Sequence, residues 1–496
     1  MRYHAAIWAG LFIAGTAQAA PDPTVHYSLK PLLTDGQMTA VQIEMRFHAT
    51  QARTEVDLPD FGAGHYYQYR NFKAVEVIGA TAVEIPADQP GHRLVTAAPG
   101  TEITVRYYID ANRKAGEEAP IDTDMTYPVI GPTRFYIMGE TVWPSVVSDA
   151  DLPATFIADM PAGWAFASDL ENLPALGGTD ANVRKTILIG GSDVHIETIR
   201  TSHTRLRIAS AGRFDFSMAD FNDRMTRVVE TEQAFWDDGQ PDFLVTLAPT
   251  TPQPGRLSIH GEALNGAFAV MAVPYAPMDP ISFNLAHEYF HSWNMRKLGQ
   301  YAPGHEALSY WFSEGFTDYY GRKLALKSGV VGLDAFIGEW NASLDRYAGS
   351  RHKLAPNSDL DAHYHADEDW TKAIYDRGAI VAVYLNAKWR VKGVTLDRFM
   401  HSLRDKVAAD PALAALPTRQ RIAAAAAALG VPADDELTRF IDKGEAIALP
   451  EDAFGGCIRV VTDPGNDKTP YVRQHLVLPN TLTADETKAC VAAVTG

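Results

Sequence analysis

The stretch that decides the reading is Asp279-Pro280-Ile281-Ser282-Phe283-Asn284-Leu285-Ala286-His287-Glu288-Tyr289-Phe290-His291-Ser292-Trp293-Asn294. Asp279 before Pro280 predicts a helix start, with Asp279 as N-cap and Pro280 at the first helical position, and Arg296, Lys297 and Gly299 mark the far end. Four residues apart on one helix, His287 and His291 project from the same face a turn apart, so both imidazoles reach one ion. Glu288 then stands beside that ion without binding it. In a chain with 16 His, a His-Glu-x-x-His arises by chance with a probability on the order of a few per cent, so the motif needs support from elsewhere.

Support comes from two further segments. Trp311-Phe312-Ser313-Glu314-Gly315-Phe316-Thr317-Asp318-Tyr319-Tyr320 begins twenty residues after His291. Ser309 is the expected cap of a second helix, closed by Arg322, Lys323, Lys327 and Gly329. A catalytic zinc takes three protein ligands and keeps one position open, and Glu314 supplies the third. Asp318, one turn on, is placed to accept the spare N–H of a ligand histidine, His287. The other segment is Ala373-Ile374-Tyr375-Asp376-Arg377-Gly378-Ala379, which opens an apolar helix. Peptide hydrolysis creates an oxyanion that needs a donor besides the metal, and Tyr375 is the candidate.

These residues predict zinc-assisted hydrolysis of a peptide bond, with His287, His291 and Glu314 holding Zn2+ and Glu288 as general base. Two rivals stand beside an aminopeptidase: an endopeptidase or other amide hydrolase on the same site, and a non-catalytic binding protein on a degenerate scaffold. Acetylating the amine of a short peptide separates the first pair. The third is weakened because all the groups the chemistry requires occur together. Cobalt or manganese in place of zinc is left open by ligand type alone.

Around this centre the chain changes period. From Val25 to about Ser210 apolar residues alternate: Val41, Ile43, Met45 and Phe47, then Ile103, Val105, Tyr107 and Ile109. Further short runs cover Thr186 to Ile189, Val194 to Ile199 and Leu206 to Ile208, so an antiparallel β-rich unit is expected. Phe221, Met225, Val228 and Phe235 predict a helix, and Phe243 to Leu247, Leu257 to Ile259 and Val270 to Val273 predict three strands. From Pro280 to about Ala448 the spacing is helical. The division expected is 1–19 leader, 20–211 β-rich domain, 212–330 catalytic domain, 331–448 helical domain and 449–496 tail.

Composition is that of a globular protein, with 46% hydrophobic and 21% charged residues, and 496 residues exceed one ordinary core. The net charge of -17 argues against nucleic acid or an anionic membrane as partner. A short apolar run, Ala5 to Ala14, followed by Ala17-Gln18-Ala19, reads as a cleavable export segment and predicts a periplasmic or secreted protein. No stretch of membrane-spanning length follows. In an oxidising compartment Cys457 and Cys490 form one expected disulfide, closing a short loop worth ~3 kcal/mol in the chain-entropy model. Oligomeric state is not legible, and a peptide substrate is the one partner expected.

Taken together, the segments His287 to Asn294, Trp311 to Phe316 and Tyr375 to Ala379 resemble the glycyl aminopeptidase family of zinc metallopeptidases, within the gluzincin group. The resemblance implies a multidomain α+β protein: an N-terminal antiparallel β-rich domain, a thermolysin-like zinc catalytic domain and a helical C-terminal part. It places the family's ligands on His287, His291 and Glu314, its base on Glu288 and its oxyanion tyrosine on Tyr375. Family members often carry Gly-Gly-Leu-Glu-His on a strand beside the substrate, whereas this chain reads His260-Gly261-Glu262-Ala263-Leu264-Asn265-Gly266. The acidic residue is displaced by one position, which in a strand turns a side chain to the other face. Glu262 is nonetheless the candidate for the substrate's free amine. Many relatives end in a PDZ domain; the segment after Leu449 is expected to be a small disulfide-closed tail instead.

Overall fold

A computed structural model describes residues 22–62, 65–114, 127–301, 304–463, 473–478 and 481–496. The export segment lies outside them. Asp35 and Gly36, both at positive φ, make a two-residue turn between the strands Val25–Thr34 and Gln37–His48, a geometry whose twist suits a hairpin. That hairpin continues into a five-stranded sheet with Glu102–Asp110 and Phe72–Ile78, while Ala154–Ala158 joins the other edge in parallel. A four-stranded antiparallel sheet contains Arg53–Asp57 and His92–Thr96. Val41, Ile43, Val56, Val95, Ile103 and Val105 fill the shared core.

A third sheet couples this β-rich domain to the C-terminal half. Its strand Arg134–Met138 turns Phe135 and Ile137 into the N-terminal core and Tyr136 and Met138 away from it. The two-residue period thus feeds two cores from one strand. Tyr136 and Met138 pack against Ala209, Leu244, Ala269 and Met271 of the next sheet, and the hydroxyls of Tyr136 and Thr246 lie 2.9 Å apart across the junction.

That next sheet runs in the order Val194–Arg200, Arg205–Ala211, Asp242–Pro249, Ala267–Ala272, Ile259–Ala263. Its first two strands are read from sequence as the end of the N-terminal unit, but they hydrogen-bond into the sheet that borders the metal site. Alternation shows that a segment is a half-buried strand without showing which sheet it joins. The edge strand, expected at Leu257 to Ile259, forms at Ile259–Ala263.

Helices cover the other face of this sheet. Met218–Trp236, Met278–Phe290, Gly315–Ser328, Leu333–Gly349 and Glu368–Arg390 share one core that extends from Leu206 to Cys490. The tail belongs to that core: Val460 and Leu476, on the paired strands Arg459–Asp463 and Arg473–Val477, are buried in it. Cys457 and Cys490 are bonded, with Cα atoms 5.5 Å apart. No helix among the described residues is long and apolar enough to cross a membrane. The architecture is therefore multidomain α+β, with a β-rich N-terminal domain and a helical C-terminal part.

Candidate metal centre

The helix Met278–Phe290 begins one residue before Asp279, so Asp279 is not its N-cap and Pro280 is its third residue. Proline, whose N–H is dispensable anywhere in the first turn, does not fix the starting phase. The Asp279 carboxylate instead accepts from Arg224 at 3.1 Å. The helix ends at Phe290, and His291 sits at its C-cap. Ser309 holds the N-cap position of Tyr310–Ser313 but makes no side-chain cap bond among the described residues; its hydroxyl pairs with that of Thr418 at 2.9 Å. Glu314 falls at the joint between Tyr310–Ser313 and Gly315–Ser328. Gly329, at positive φ, terminates the second helix as expected.

These elements bring three donor atoms together. His287 Nε2 and His291 Nε2 lie 3.1 Å apart, and Glu314 Oε2 stands 3.4 and 3.3 Å from them. Bonds of about 2.0–2.1 Å in a tetrahedron separate the donors by about 3.3–3.4 Å, so this triangle could hold an ion such as zinc. Each ring is oriented through its other nitrogen. His287 Nδ1 meets Asp318 Oδ1 at 2.9 Å, and His291 Nδ1 meets the Asn294 carbonyl at 2.9 Å. With both Nδ1 atoms protonated, both Nε2 lone pairs face the centre.

Asn294 is a residue whose part sequence reasoning missed. Its side-chain nitrogen donates to the carbonyls of Phe312 and Ser313 and to Thr317 Oγ1, at 3.1, 3.2 and 3.1 Å. One amide therefore orients His291 through its backbone and ties that segment to the Glu314 segment through its side chain. The clue in sequence was an Asn three residues after a candidate ligand, which has no meaning until its partners are known.

Two close approaches set the remaining groups. A Cβ on Gly261 would collide with the Glu288 carboxyl, so the edge strand passes directly over that group. Asn284 donates to Glu288 Oε1 at 3.3 Å from one turn earlier on the same helix. A Cβ on Gly378 would strike the Trp311 carbonyl and Gly315. The helix Glu368–Arg390 thus crosses the Glu314 segment at backbone contact, and Tyr375 is carried to the same centre. Its ring lies parallel to that of His287, with centroids 6.4 Å apart. The Tyr364 hydroxyl, which the sequence did not single out, is 3.4 Å from that of Tyr375.

The electrostatics follow from crowding charges in a recess. Burial pushes the Glu288 carboxyl up, against the pull of the two histidines. Burial acts the same way on Glu314 and Asp318, but His291 and His287 hold Glu314 well below the usual carboxylate range, and Arg322 with His287 does so for Asp318. Burial disfavours a charged His287, yet its bonds to Asp318 and Glu314 push it up to about 10, so a cation bound at the triangle would take the place of the proton on its Nε2. Burial pushes the Tyr375 hydroxyl well above its ordinary value, so it stays a donor.

All of these groups line one cleft of about 1150 Å³. Glu262 lines it too. Its one-residue displacement from the family's acidic position therefore does not remove this candidate from the cleft. Glu262 is exposed into the cleft yet crowded by protein, and this crowding, with Glu288 and Glu140 nearby, pushes its carboxyl up to about 8.

A mixed sheet, paired helices and a triangle of donor atoms thus frame one candidate metal centre. Residues 283–385, the segment that carries the site, match the family model described as M61 glycyl aminopeptidase. Among solved structures, an aminopeptidase N family protein from Idiomarina loihiensis matches with TM-score 0.72 at 15% identity, over 90% of this chain and 81% of that one. An M1 zinc metallopeptidase from Deinococcus radiodurans matches with TM-score 0.51 at 16% identity, over 88% of this chain and 97% of that one. A mutant of the latter bound to a Tyr-Ser-Ala substrate matches with TM-score 0.52 at 15% identity, over 87% and 96%. At such identities the likeness is one of fold. No curated protein matches the chain.

Proposed function

We propose that this protein is a zinc-dependent aminopeptidase. The observation that carries the reading is the triangle of His287 Nε2, His291 Nε2 and Glu314 Oε2 at the bottom of an open cleft, with Glu288 beside it. A zinc ion held there supplies Lewis acidity toward the scissile carbonyl and toward water. Glu288, raised above the ordinary carboxylate range, takes a proton from the attacking water and hands it to the leaving amine. Tyr375 donates its hydroxyl hydrogen to the oxyanion that forms when the carbonyl is attacked. Asp318 and the Asn294 carbonyl keep the two imidazoles in place. Glu262, on the strand that passes Glu288, is the acid that receives the substrate's free amine. The export segment read in residues 1–19 supports action on peptides outside the cytoplasm.

Elemental analysis of chelator-free protein is expected to give one zinc per chain, and turnover of short peptides is expected to vanish when their amine is acetylated. Cleavage of acetylated peptides at an undiminished rate would favour an endopeptidase on the same site. Glu288→Gln is expected to keep the metal and lose nearly all turnover, since an amide cannot accept the water's proton. A metal-free wild-type protein, with His287→Ala as active as the parent, would sink the reading.

A further inference from the structure

The hydrogen of a tyrosine hydroxyl turns to suit its surroundings, so a donor at Tyr375 needs a partner that aims it. The Tyr375 ring lies parallel to His287, with centroids 6.4 Å apart, and Lys372 Nζ stands 5.3 Å from the ring centre. Contacts of this kind hold a ring and leave its hydroxyl free to rotate. Among the described residues the hydroxyl of Tyr364, 3.4 Å away, is the one hydrogen-bond partner of the Tyr375 hydroxyl.

Tyr364 is itself held firmly. It follows the helix Asn357–His363, and the chain then turns into Glu368–Arg390. On that second helix Thr371 and Tyr375 stand four residues apart and share a face. Thr371 Oγ1 donates to the Tyr364 carbonyl at 2.6 Å while Tyr375 meets the Tyr364 hydroxyl, so one helix face holds both ends of this residue. The Tyr364 ring also packs edge-on against Tyr310, with centroids 4.8 Å apart. Tyr310 opens the segment that leads to Glu314. Tyr364 is thus wedged between the elements that carry Glu314 and Tyr375, and both hydroxyls line the cleft.

A hydroxyl can accept at its oxygen while donating its hydrogen. Burial pushes both hydroxyls above the ordinary range, with Glu314 adding to the push, so the pair keeps both hydrogens. One hydrogen serves the bond between the two oxygens, and the other is left for the cleft. When negative charge forms on a substrate oxygen beside Tyr375, the favoured arrangement has Tyr375 donating outward and Tyr364 donating to Tyr375, because each bond in such a chain strengthens the next. At 3.4 Å the pair is looser than an ordinary O–H···O bond of about 2.7–2.8 Å, and bonds of this kind tighten as the reaction charge develops.

We propose that Tyr364 is a positioning residue that donates its hydroxyl hydrogen to Tyr375 and thereby aims the Tyr375 hydrogen at the oxyanion. This rests on the peptidase reading above, in which Tyr375 meets that oxyanion. Because the arrangement is selected after the carbonyl is attacked, its benefit falls on turnover rather than on substrate affinity. Loss of one neutral hydrogen bond corresponds to about three- to tenfold.

The test is a double-mutant cycle on the full zinc-loaded chain. Tyr364→Phe keeps the ring against Tyr310 and removes the oxygen. Its kcat for Gly-Ala amide is expected to fall about three- to tenfold, with KM and zinc content near those of the parent. In a Tyr375→Phe background the same substitution is expected to cost nothing further. A phosphonate analogue of Gly-Ala, whose tetrahedral anionic oxygens mimic the attacked carbonyl, is titrated calorimetrically into the parent, both single variants and the double variant. Its affinity is expected to repeat the pattern. Replacing Tyr364 by 3-fluorotyrosine, a stronger donor and weaker acceptor of nearly the same shape, is expected to raise kcat, and this variant carries the test if the Phe protein loses zinc. An additive loss in the double variant would make Tyr364 an independent donor and overturn the relay. Parent-like kcat in Tyr364→Phe, or a fall in kcat on fluorination, would overturn it equally. The cycle appearing in phosphonate binding while the parent hydrolyses no peptide would overturn the peptidase reading and leave the paired hydroxyls standing. A zinc-loaded parent that neither hydrolyses peptides nor binds the phosphonate would overturn both.

Discussion

Glu232 lies near the candidate metal centre on the helix Met218–Trp236, with no exposed surface and, among the described residues, no hydrogen-bond partner for either carboxylate oxygen. Its neighbours along that helix, Val228, Val229 and Trp236, belong to the main core. Burial pushes this carboxyl well above its ordinary value, opposed only by the field of His287. The folded state therefore keeps a proton that the unfolded chain releases above about pH 4.3. A carboxyl raised in the folded state favours folding at low pH and costs stability as pH climbs, by up to about 1.4 kcal/mol for each pH unit above the unfolded value. Glu232→Gln keeps the shape and removes the proton. Near pH 4 the variant and the parent are expected to unfold alike, because a neutral carboxyl and an amide face the same apolar surroundings. Between pH 5 and 7 the variant is expected to pull ahead by about 1.4 kcal/mol per unit. Urea unfolding of metal-loaded parent and variant at several pH values, compared at equal slope, measures the divergence. Parallel stability curves would mean that Glu232 is ionised in the fold, and the argument from its isolation would be wrong.

Three further outcomes are expected. Tyr375→Phe keeps the ring against His287 and removes the donor, so zinc content and KM are expected to stay near normal while kcat falls roughly a hundredfold to a thousandfold; a folded, zinc-loaded variant with more than half the parent rate would return Tyr375 to simple packing. Asp318→Asn removes the charge that orients His287, and metal affinity by chelator competition is expected to drop about ten- to a hundredfold, with unchanged affinity contradicting that role. Unreduced, denatured protein from an oxidising compartment is expected to show no free thiol, and replacing Cys457 and Cys490 by Ala is expected to cost up to about 3–4 kcal/mol; two free thiols before reduction would refute the bond.

What the sequence made legible was whatever one element decides by itself. His287 and His291 share a helix face by spacing alone, and Val41, Ile43 and Met45 alternate within one strand. The strands Val194–Arg200 and Arg205–Ala211 were legible as strands and illegible as members of the catalytic sheet, since membership is settled by hydrogen bonds to Asp242–Pro249. Glu262 was kept as the candidate for the amine, but its direction could not be read from the sequence. The rule that adjacent residues face opposite ways holds for the strand, but which of those ways is the cleft depends on where the sheet ends.

Glycine shows most sharply where the remaining information resides. In Glu314-Gly315 and Arg377-Gly378 nothing local marks either glycine as more than a helix weakener, costing about 1 kcal/mol against alanine. In the fold the two Cα atoms face each other so closely that a Cβ on either would strike the opposite helix. Widening that crossing by one methyl group would move the helix Glu368–Arg390 outward, and Tyr375, one turn before Gly378, would move with it. An oxyanion donor acts over a hydrogen-bond length, so a shift of about 1 Å at the crossing is enough to lose most of its effect. The cost of these glycines to helix stability is thus the condition for placing a tyrosine from one helix beside a glutamate from another. A dependence of that kind belongs to the pair of helices and is invisible in either segment read alone.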